Sequence, residues 1–441
     1  MSSHSSNTLM TDGPIWKRIV AFAIPLFLGN LFQQLYNMAD SLIVGNFLGS
    51  NALAAVSSSG NLIFLMVGFF NGMAVGAGVV IARYFGARDI EHLQDSIHTT
   101  IAFGLAAGIL LGILGVLLAP QILLLMGTPA EVFPNSKIYF QIYFSGSLFF
   151  VMYNIFVGIL QAVGDSKHPL YYLIISSVTN VILDYVYIFI MKWGMGGAAL
   201  ATATGTTLTV LILASHFFSK DNHLKLEFSD VWRRVPEVLG NGLASFILEI
   251  SNGFVMLLFN RQLLAYVGEM GITVYGIITN TALVASSISN GIAQAVQPLL
   301  SANFGAGNLK RVGEARKLGV RTGFAAGFIF TAIGMLIPVQ LSYLFLDPTP
   351  EILTMAVPAI RLYFLCFLVS EWNIISGMYF QSTVRPRFSL TITLLRGVIL
   401  NSVFVFLLPA LFGVDGIWLT VTVSEFITAG VAFVLMKREK H

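Results

Sequence analysis

The sequence has little charge and almost no cysteine. Charged residues make up 10% of the 441 residues and hydrophobic residues 56%, whereas soluble domains carry roughly 25% charged residues. A soluble fold could not bury so much apolar surface, so the composition predicts a polytopic membrane protein. The single cysteine, Cys366, excludes an intrachain disulfide, and the seven scattered histidines leave no metal-ligand spacing. We therefore predict no transition-metal site.

Motifs for enzymatic work are also missing. No lysine follows a glycine, so the chain cannot contain the Gly-Lys step of a Walker A loop. The strings H-E-x-x-H and D-D-x-x-D are absent, and no histidine lies deep in an apolar stretch. These absences disfavour both ATP-driven export by this chain alone and an intramembrane enzyme acting on a lipid. We predict a protein without enzymatic activity, cofactor or nucleic-acid partner.

Twelve stretches are apolar enough to cross a bilayer, which takes about 20 residues each. The predicted spans are 15–38, 53–82, 96–118, 134–162, 169–190, 196–217, 236–259, 272–301, 318–341, 353–381, 389–409 and 415–436. The first stretch is long and lacks an A-x-A site, so we expect it to stay as span 1. The N-terminal tail with the first residues of span 1, the loops after even-numbered spans with the first residues of span 9, and the C-terminus hold 19 of the 24 lysines and arginines. This distribution predicts a multi-pass plasma membrane protein with both termini in the cytoplasm.

The two halves of the chain repeat each other. Residues 71–89 align without gaps to residues 290–308, an offset of 219 positions, and the same offset relates Asn154 to Asn373. Because each copy has an even number of spans, both copies enter the membrane in the same direction. We expect two six-helix lobes related by a pseudo-two-fold axis along the membrane normal, with a substrate cleft between them. The predicted domains are a tail (1–14), an N-lobe (15–218), a cytoplasmic loop (219–235), a C-lobe (236–436) and a C-terminal tail (437–441).

Spans 3 and 9 carry matching glycine ladders. Small residues four positions apart let helix backbones approach closely, so we predict a role in helix packing. The ladders are Gly104, Gly108 and Gly112 in span 3, and Gly319, Gly323 and Gly327 in span 9.

A polar stripe interrupts span 1. Its members are Gln33, Tyr36, Asn37 and Asp40, whose spacing of i, i+3, i+4 and i+7 puts them on one helix face. A charge at bilayer depth costs about 2.5 to 3.5 kcal/mol on insertion scales, so we predict that Asp40 faces a protein interior or a wet cavity. Pro25 removes a helix hydrogen bond earlier in the span, which fits either a moving hinge or a plain kink.

Span 5 carries a second acid. Asp184 lies one helical turn from Asn180, and span 6 follows with the hydroxyl of Thr202. Two carboxylates with amide and hydroxyl oxygens suit a small hard cation, and two neighbouring carboxylates also make a proton site. The alternative is a structural hydrogen-bond network. We consider it less favourable because no basic residue follows Arg18 in span 1 or lies in spans 5 and 6.

Other buried acids occur in spans 7, 10 and 12. Glu249 belongs to a polar face of span 7, predicted to line a cavity, with packing polarity as the alternative. Glu371 stands about 200° around span 10 from Asn373, so both cannot face one cavity from a regular helix. Glu425 is predicted to pair with Arg396 as a structural ion pair. The residues predicted to line the substrate cavity are Gln33, Gln34, Tyr36, Asn37, Asn154, Glu249, Asn252 and Asn373.

Several motifs, found in order along both halves, resemble a known family. They are LYNMADSLIVGNFLG, the FGA-[RG]-[DN] loops after spans 2 and 8, FVGILQAVGDSKHP, TNVILDYVYIF and GGAALAT. With these motifs the sequence resembles the multidrug and toxic compound extrusion (MATE) transporters over all twelve spans, and it looks closest to their bacterial DinF-like branch. The resemblance implies an all-α antiporter in two six-helix lobes. It would act as a monomer among membrane lipids and export small amphiphilic or cationic drugs in exchange for Na+ or H+.

The resemblance also implies roles for individual residues. Pro25 matches the span-1 proline associated with bending, and Glu249 matches an acid of the NorM-like branch. The span-10 aspartate of that branch falls near Ser370 or Glu371, so the resemblance does not define an ion site in the C-lobe. The residues that match the coupling-ion site of the N-lobe are Asp40, Asn180, Asp184 and Thr202.

The alternative function is a flippase for lipid-linked sugar precursors, which has a related fold. A flippase would need several basic residues in the cavity to hold a pyrophosphate, whereas spans 1, 2, 7 and 8 offer acids and amides. For the antiporter, we expect ion entry to neutralise the N-lobe site, shift span 1 near Pro25 and displace the drug outward. Such coupling requires the ion to bind one conformation better than the other.

Overall fold

The structure is a computed structural model that describes residues 10–48, 50–125, 128, 130–217, 235–344 and 347–438. In these ranges the chain forms helices and no β-strand. The α-helices are α1 (Ile15–Leu48), α2 (Ser50–Ala87), α3 (Ile90–Leu125), α4 (Phe133–Ser145), α5 (Ser147–Ala162), α6 (Lys167–Asp184), α7 (Gly194–Phe217), α8 (Val235–Val267), α9 (Glu269–Gly305), α10 (Leu309–Leu336), α11 (Pro338–Tyr343), α12 (Pro350–Phe364), α13 (Phe367–Ser382), α14 (Pro386–Leu394), α15 (Leu400–Phe412) and α16 (Val414–Arg438). Two π-helical segments, Tyr185–Ile190 and Leu395–Ile399, follow α6 and α14.

Each predicted span falls on a helix or on a run of consecutive helices. Among the described residues, nine helical stretches are long and apolar enough to cross a membrane, and α4 with α5, bent by 50°, makes a tenth. The remaining predicted spans, 53–82 and 236–259, fall on α2 and α8, where several side chains lie outside the described part of the chain. Large apolar side chains are exposed along the helices, for example Leu117 at 66% and Leu257 at 68%. Such surface is compatible with lipid and not with water.

The backbone confirms the internal repeat. The break between α4 and α5 falls at Gly146, and the break between α12 and α13 includes Leu365, which is 219 positions later. Left-handed backbone conformations at helix boundaries recur at the same offset. These pairs are Arg88 (φ 56°) with Gly307 (φ 72°), and Gly194 (φ 56°) with Gly413 (φ 60°).

The glycine ladders bring neighbouring helices into backbone contact, as predicted. A Cβ atom added at Gly108 of α3 would stand 2.9 Å from the Cα of Leu148 on α5. In the second half, a Cβ at Gly327 of α10 would collide with the main-chain carbonyl of Phe367 on α13. Any larger residue would push these helices apart, so the ladders serve packing.

The chain divides into two compact units. Unit 1 contains Ile24–Gly242 together with Met1–Met10, and unit 2 contains Thr11–Ala23 together with Leu243–His441. Each of α1 and α8 therefore has residues in both units. The lobes predicted from the sequence instead begin at residue 15 and residue 236. In α1 the division falls between Ala23 and Ile24, one residue before Pro25, which is buried and through which the helix continues. Each unit has its own hydrophobic core.

Candidate functional site

Three helices of unit 1 pack around a small polar region. Gly29 of α1 lies against α6, since a Cβ there would stand 3.8 Å from Leu173. Gly205 of α7 also faces α6, where its Cβ would stand 3.4 Å from the Cβ of Asn180. These glycines let the three backbones approach closely enough for polar side chains of each helix to meet.

The centre of this region is a pair of acids. Asp184 of α6 is fully buried and Asp40 of α1 is half-buried. Their carboxyl groups lie within hydrogen-bonding reach of each other. Among the described residues no donor reaches either carboxylate oxygen of Asp184 or the Oδ1 of Asp40. A carboxylate only accepts hydrogen bonds, so a proton or a cation is needed to hold the two groups together.

Asn180 and Thr202 extend the region. The Nδ2 of Asn180 donates to the Thr202 hydroxyl at 3.2 Å, and that hydroxyl donates to the carbonyl of Ala198 at 3.3 Å. The Tyr36 side chain is also within hydrogen-bonding reach of Thr202. Asn180 is 2% exposed, and its Oδ1 has no donor among the described residues. The side-chain amide of Asn180 is thus oriented so that its nitrogen donates a hydrogen bond and its oxygen can still accept one or bind a cation.

The chemistry of this set suits a small cation. It offers two carboxylates, an available amide oxygen and a hydroxyl, which are the oxygen ligands that hard cations take. A shared proton would satisfy the carboxyl pair equally well. No lysine or arginine occurs in α7, in α6 after Lys167 or in α1 after Arg18. The structure therefore brings together all four residues predicted from spans 1, 5 and 6.

Two tyrosines near this region were missed by the sequence reasoning. Tyr139 and Tyr143 of α4 are buried, and both lie close enough to Asp40 for electrostatic interaction. Their ring centroids are 6.2 Å apart. The signal was present in the sequence, since two tyrosines one turn apart put hydroxyl groups on one face of an apolar span.

The π-helical segment Tyr185–Ile190 was also missed. It begins immediately after Asp184. The hydrogen-bond pattern changes there from i→i−4 to i→i−5, which turns the following side chains relative to a regular helix. Such segments are rare and occur frequently at functional sites.

The polar stripe of α1 is divided. Tyr36 and Asp40 reach α7 and α6, whereas the Nε2 of Gln33 donates to the Oδ1 of Asn37 at 3.3 Å. Asn37 and Gln34 are exposed. Of the four residues of the stripe, only Tyr36 and Asp40 therefore lie at the candidate site.

The other residues predicted to line the cavity have varied surroundings. Asn154 is half-buried and donates to the main-chain carbonyl of Phe150 in its own helix at 2.8 Å. The backbones of Glu249 and Asn252 belong to α8, but their side chains lie outside the described residues. The cavity role of these two residues therefore stays a prediction.

Asn373, predicted to line the cavity, is instead fully buried inside unit 2. Its Nδ2 donates to the Oε2 of Glu425 at 2.6 Å. The predicted ion pair is confirmed, because the Nε and Nη2 of Arg396 donate to the other oxygen of Glu425 at 3.0 and 2.7 Å. Glu371 is fully buried as well, beside Gly323 and Ser289. Both Glu371 and Asn373 are thus interior residues of unit 2.

Comparison with known proteins agrees with this geometry. The sequence matches the MatE family model over residues 25–186 and 243–407. The chain belongs to the MATE family. This MATE chain is similar to the probable multidrug resistance protein YoeA of Bacillus subtilis, with 28% identity over 344 residues that cover 75% of this chain and 74% of that protein. It is also similar to the multidrug export protein MepA of Staphylococcus aureus, with 24% identity over 438 residues, 96% of this chain and 94% of that protein.

Solved MATE structures share the fold. A MATE crystal structure in the bent conformation superposes with a TM-score of 0.92 at 24% identity, covering 99% of this chain and 97% of that chain. The outward-facing conformation of a multidrug resistance MATE transporter gives 0.90 at 24% identity, with 99% and 98% covered. The predicted all-α membrane architecture of twelve spans in two lobes is confirmed. The assignment to a DinF-like branch stays a prediction.

Proposed function

We propose that this MATE chain is a secondary active antiporter, which exports small amphiphilic or cationic drugs in exchange for Na+ or H+. The observation that carries the proposal is the contact between the carboxyl groups of Asp40 and Asp184, which have no basic partner among the described residues. A transporter that exchanges a cation for a drug needs such a site, because its charge must be satisfied in one state and released in the other. The names of the relatives, multidrug resistance and multidrug export proteins, support drugs as the substrate class.

The coupling would work through charge at the bilayer interior. Two close carboxylates repel each other, and entry of one Na+ or proton relieves that repulsion. We propose that this change shifts α1 near Pro25, where a helix hydrogen bond is missing, and displaces bound drug outward. Direct competition of a cationic drug for the same carboxylates is a second route to the same exchange.

The setting of the transporter follows from its charge distribution. We propose that it works as a monomer in the plasma membrane with both termini in the cytoplasm, since the basic residues gather on that side. Its activity would be transport alone, without enzymatic chemistry.

The direct test removes the charges one at a time. Asp40→Asn and Asp184→Asn keep the side-chain shape and leave one carboxylate in the pair. The new amide can donate a hydrogen bond to that carboxylate, so the pair no longer needs a shared cation. We expect both variants to insert normally into proteoliposomes and to lose gradient-driven efflux of ethidium. The control is Glu91→Gln, which removes an exposed acid at the start of α3. Normal gradient-driven efflux by either Asp variant would overturn the assignment.

The ion is identified separately. Efflux is measured at fixed pH with and without a Na+ gradient, and then at fixed Na+ with and without a pH gradient. A Na+-coupled protein should also gain thermal stability from added Na+, because a ligand that binds the native state stabilises it. Asp184→Asn should abolish that gain. A gain of the same size in the variant would place the ion elsewhere.

A further inference from the structure

One face of α10 carries a row of charged side chains at its beginning. Lys310, Glu314, Lys317 and Arg321 are all exposed. Their spacing of i, i+4, i+7 and i+11 places them along one side of the helix. We call the three cations of this row, Lys310, Lys317 and Arg321, the basic stripe. With one acid among three cations, the row is positive overall.

The same face of α10 continues into lipid-facing surface. Phe324, Phe328 and Ile329 follow the basic stripe and are exposed at 41%, 67% and 56%. In a membrane-spanning helix, large exposed apolar side chains contact lipid tails. The basic stripe therefore lies on the bilayer side of α10 and not on a side that faces other helices of unit 2.

The depth of the stripe follows from the length of the helix. At 1.5 Å per residue, the 28 residues of α10 extend about 42 Å, which exceeds the hydrocarbon thickness of about 30 Å. Counted back from Leu336, the hydrocarbon boundary falls about 20 residues earlier, close to Lys317. Arg321 would then start roughly 6 Å inside the boundary, and its guanidinium must extend outward to reach polar groups. The stripe thus extends about 16 Å along the helix across the headgroup level, with Lys317 closest to the hydrocarbon boundary.

The three cations of the basic stripe have no polar partner within the described residues. In the described part of the chain, no hydrogen bond or ion pair involves Lys310, Lys317 or Arg321. Two other arginines of the same helix do have partners. The Nε of Arg311 donates to Asn303 at 3.1 Å, and the guanidinium of Arg316 lies 4.9 Å from the ring centre of Tyr379. The helix therefore uses two of its cations for packing and turns three towards the bilayer.

The internal repeat provides a control within the molecule. The equivalent face of α3 exposes Ile109 and Leu110 at 51% and 57%, 219 positions before Phe328 and Ile329. At the level of the basic stripe, however, the first eight residues of α3 contain two acids and no lysine or arginine. The positive row is therefore not a requirement of the fold, because the matching helix does without it.

We propose that the basic stripe is a binding site for the phosphate headgroup of anionic phospholipids. Lysine and arginine bind phosphate oxygens through charge-assisted hydrogen bonds, and basic residues next to a span attract anionic lipid. Two acyl chains of the same lipid would lie against Phe324, Phe328 and Ile329, which a free phosphate ion could not exploit. The site depends on α10 facing the bilayer and is independent of the antiport mechanism.

The test compares lipids by their effect on thermal unfolding of the full chain in neutral detergent. Phosphatidylglycerol is titrated against the wild type and against Lys310→Gln/Lys317→Gln/Arg321→Gln, with phosphatidylcholine and inorganic phosphate as separate arms. A matched control, Arg387→Gln/Lys437→Gln/Arg438→Gln, removes the same charge from exposed positions on α14 and α16. Each basic residue near a membrane surface contributes about 1 kcal/mol, so we expect about fivefold weaker binding per charge removed and on the order of a hundredfold for all three.

The expected result is a rise of the unfolding midpoint with phosphatidylglycerol in the wild type and the control, and little rise in the stripe variant. The charge-preserving variant Lys310→Arg/Lys317→Arg/Arg321→Lys should respond as the wild type, and added NaCl should weaken the response in both. The proposal is overturned if the stripe variant responds like the wild type or if the control loses the response equally. It is also overturned if phosphatidylcholine or inorganic phosphate alone produces the same rise.

Discussion

The ion pair in unit 2 gives the sharpest stability prediction. Arg396 and Glu425 are 16% and 7% exposed, and Glu425 accepts hydrogen bonds on both oxygens, from Arg396 and from Asn373. Replacing Arg396 by Met keeps most of the side-chain length but leaves a carboxylate buried with a single amide donor. Removing one partner of a buried pair costs about 3 to 5 kcal/mol. We expect about 3 kcal/mol, because Asn373 still donates to the remaining acid.

Glu425→Gln should also destabilise, for a different reason. The new amide nitrogen must face either Arg396 or Asn373, and both of these groups are donors. In the double variant Arg396→Met/Glu425→Gln no charge is left, and the glutamine oxygen can still accept from Asn373. We therefore expect the double variant to recover at least half of the stability that Arg396→Met loses.

The assay is reversible unfolding in mixed detergent micelles, followed for the wild type, both single variants and the double variant. Arg387→Met, an exposed arginine in α14, is the control for loss of a positive charge. The coupling free energy of the cycle should be at least about 1.5 kcal/mol, within the range of contacting residues. If the losses of the single variants simply add in the double variant, the two side chains do not interact and the reasoning is wrong.

Two further predictions concern packing and the end of the bundle. Gly108→Ala should lower the unfolding midpoint because its Cβ meets the Cα of Leu148 at 2.9 Å, whereas Gly276→Ala, with open space around it, should be neutral or stabilising by up to about 1 kcal/mol. Arg83→Gln should cost about 1 kcal/mol by removing the partly buried ion pair between Arg83 and Glu237, and Arg83→Lys should restore part of this loss. Thermal unfolding in detergent measures the midpoint of each variant. Equal midpoints for Gly108→Ala and Gly276→Ala would contradict the packing prediction, and an unchanged midpoint for Arg83→Gln would contradict the ion-pair prediction.

Hydropathy predicted the helices well because it depends on local composition. The repeat predicted two lobes because it compares the two halves of the chain directly. A bilayer forces backbone polar groups into helices, so an apolar stretch of about 20 residues already fixes its secondary structure. The Arg396–Glu425 pair was predictable for a related reason, since a charge inside a span needs a partner.

The details that the sequence did not predict depend on irregular turns and distant partners. The helical period places Gln33, Asn37 and Asp40 on one face of α1, but only Asp40 meets α6. A helix face 100° wide or more can contact several neighbours, so residues on one face need not share a partner. The π-helical segment after Asp184 breaks the period that such reasoning assumes. Tyr139 approaches Asp40 from a helix about a hundred residues away, and no local pattern indicates which helices become neighbours.

Charge balance separates Glu425 from the pair Asp40 and Asp184. Glu425 is balanced by Arg396, so its charge is satisfied permanently and any added cation would be repelled by the guanidinium. Asp40 and Asp184 have no basic partner among the described residues, and the proposed exchange assigns their counter-charge to a proton or a metal cation from outside the chain. A permanent pair can stabilise one conformation, but only a site that gains and loses its counter-charge can make two conformations alternate in stability. Membrane position alone therefore does not separate Glu425 from the pair Asp40 and Asp184, whereas the basic partner of Glu425 does.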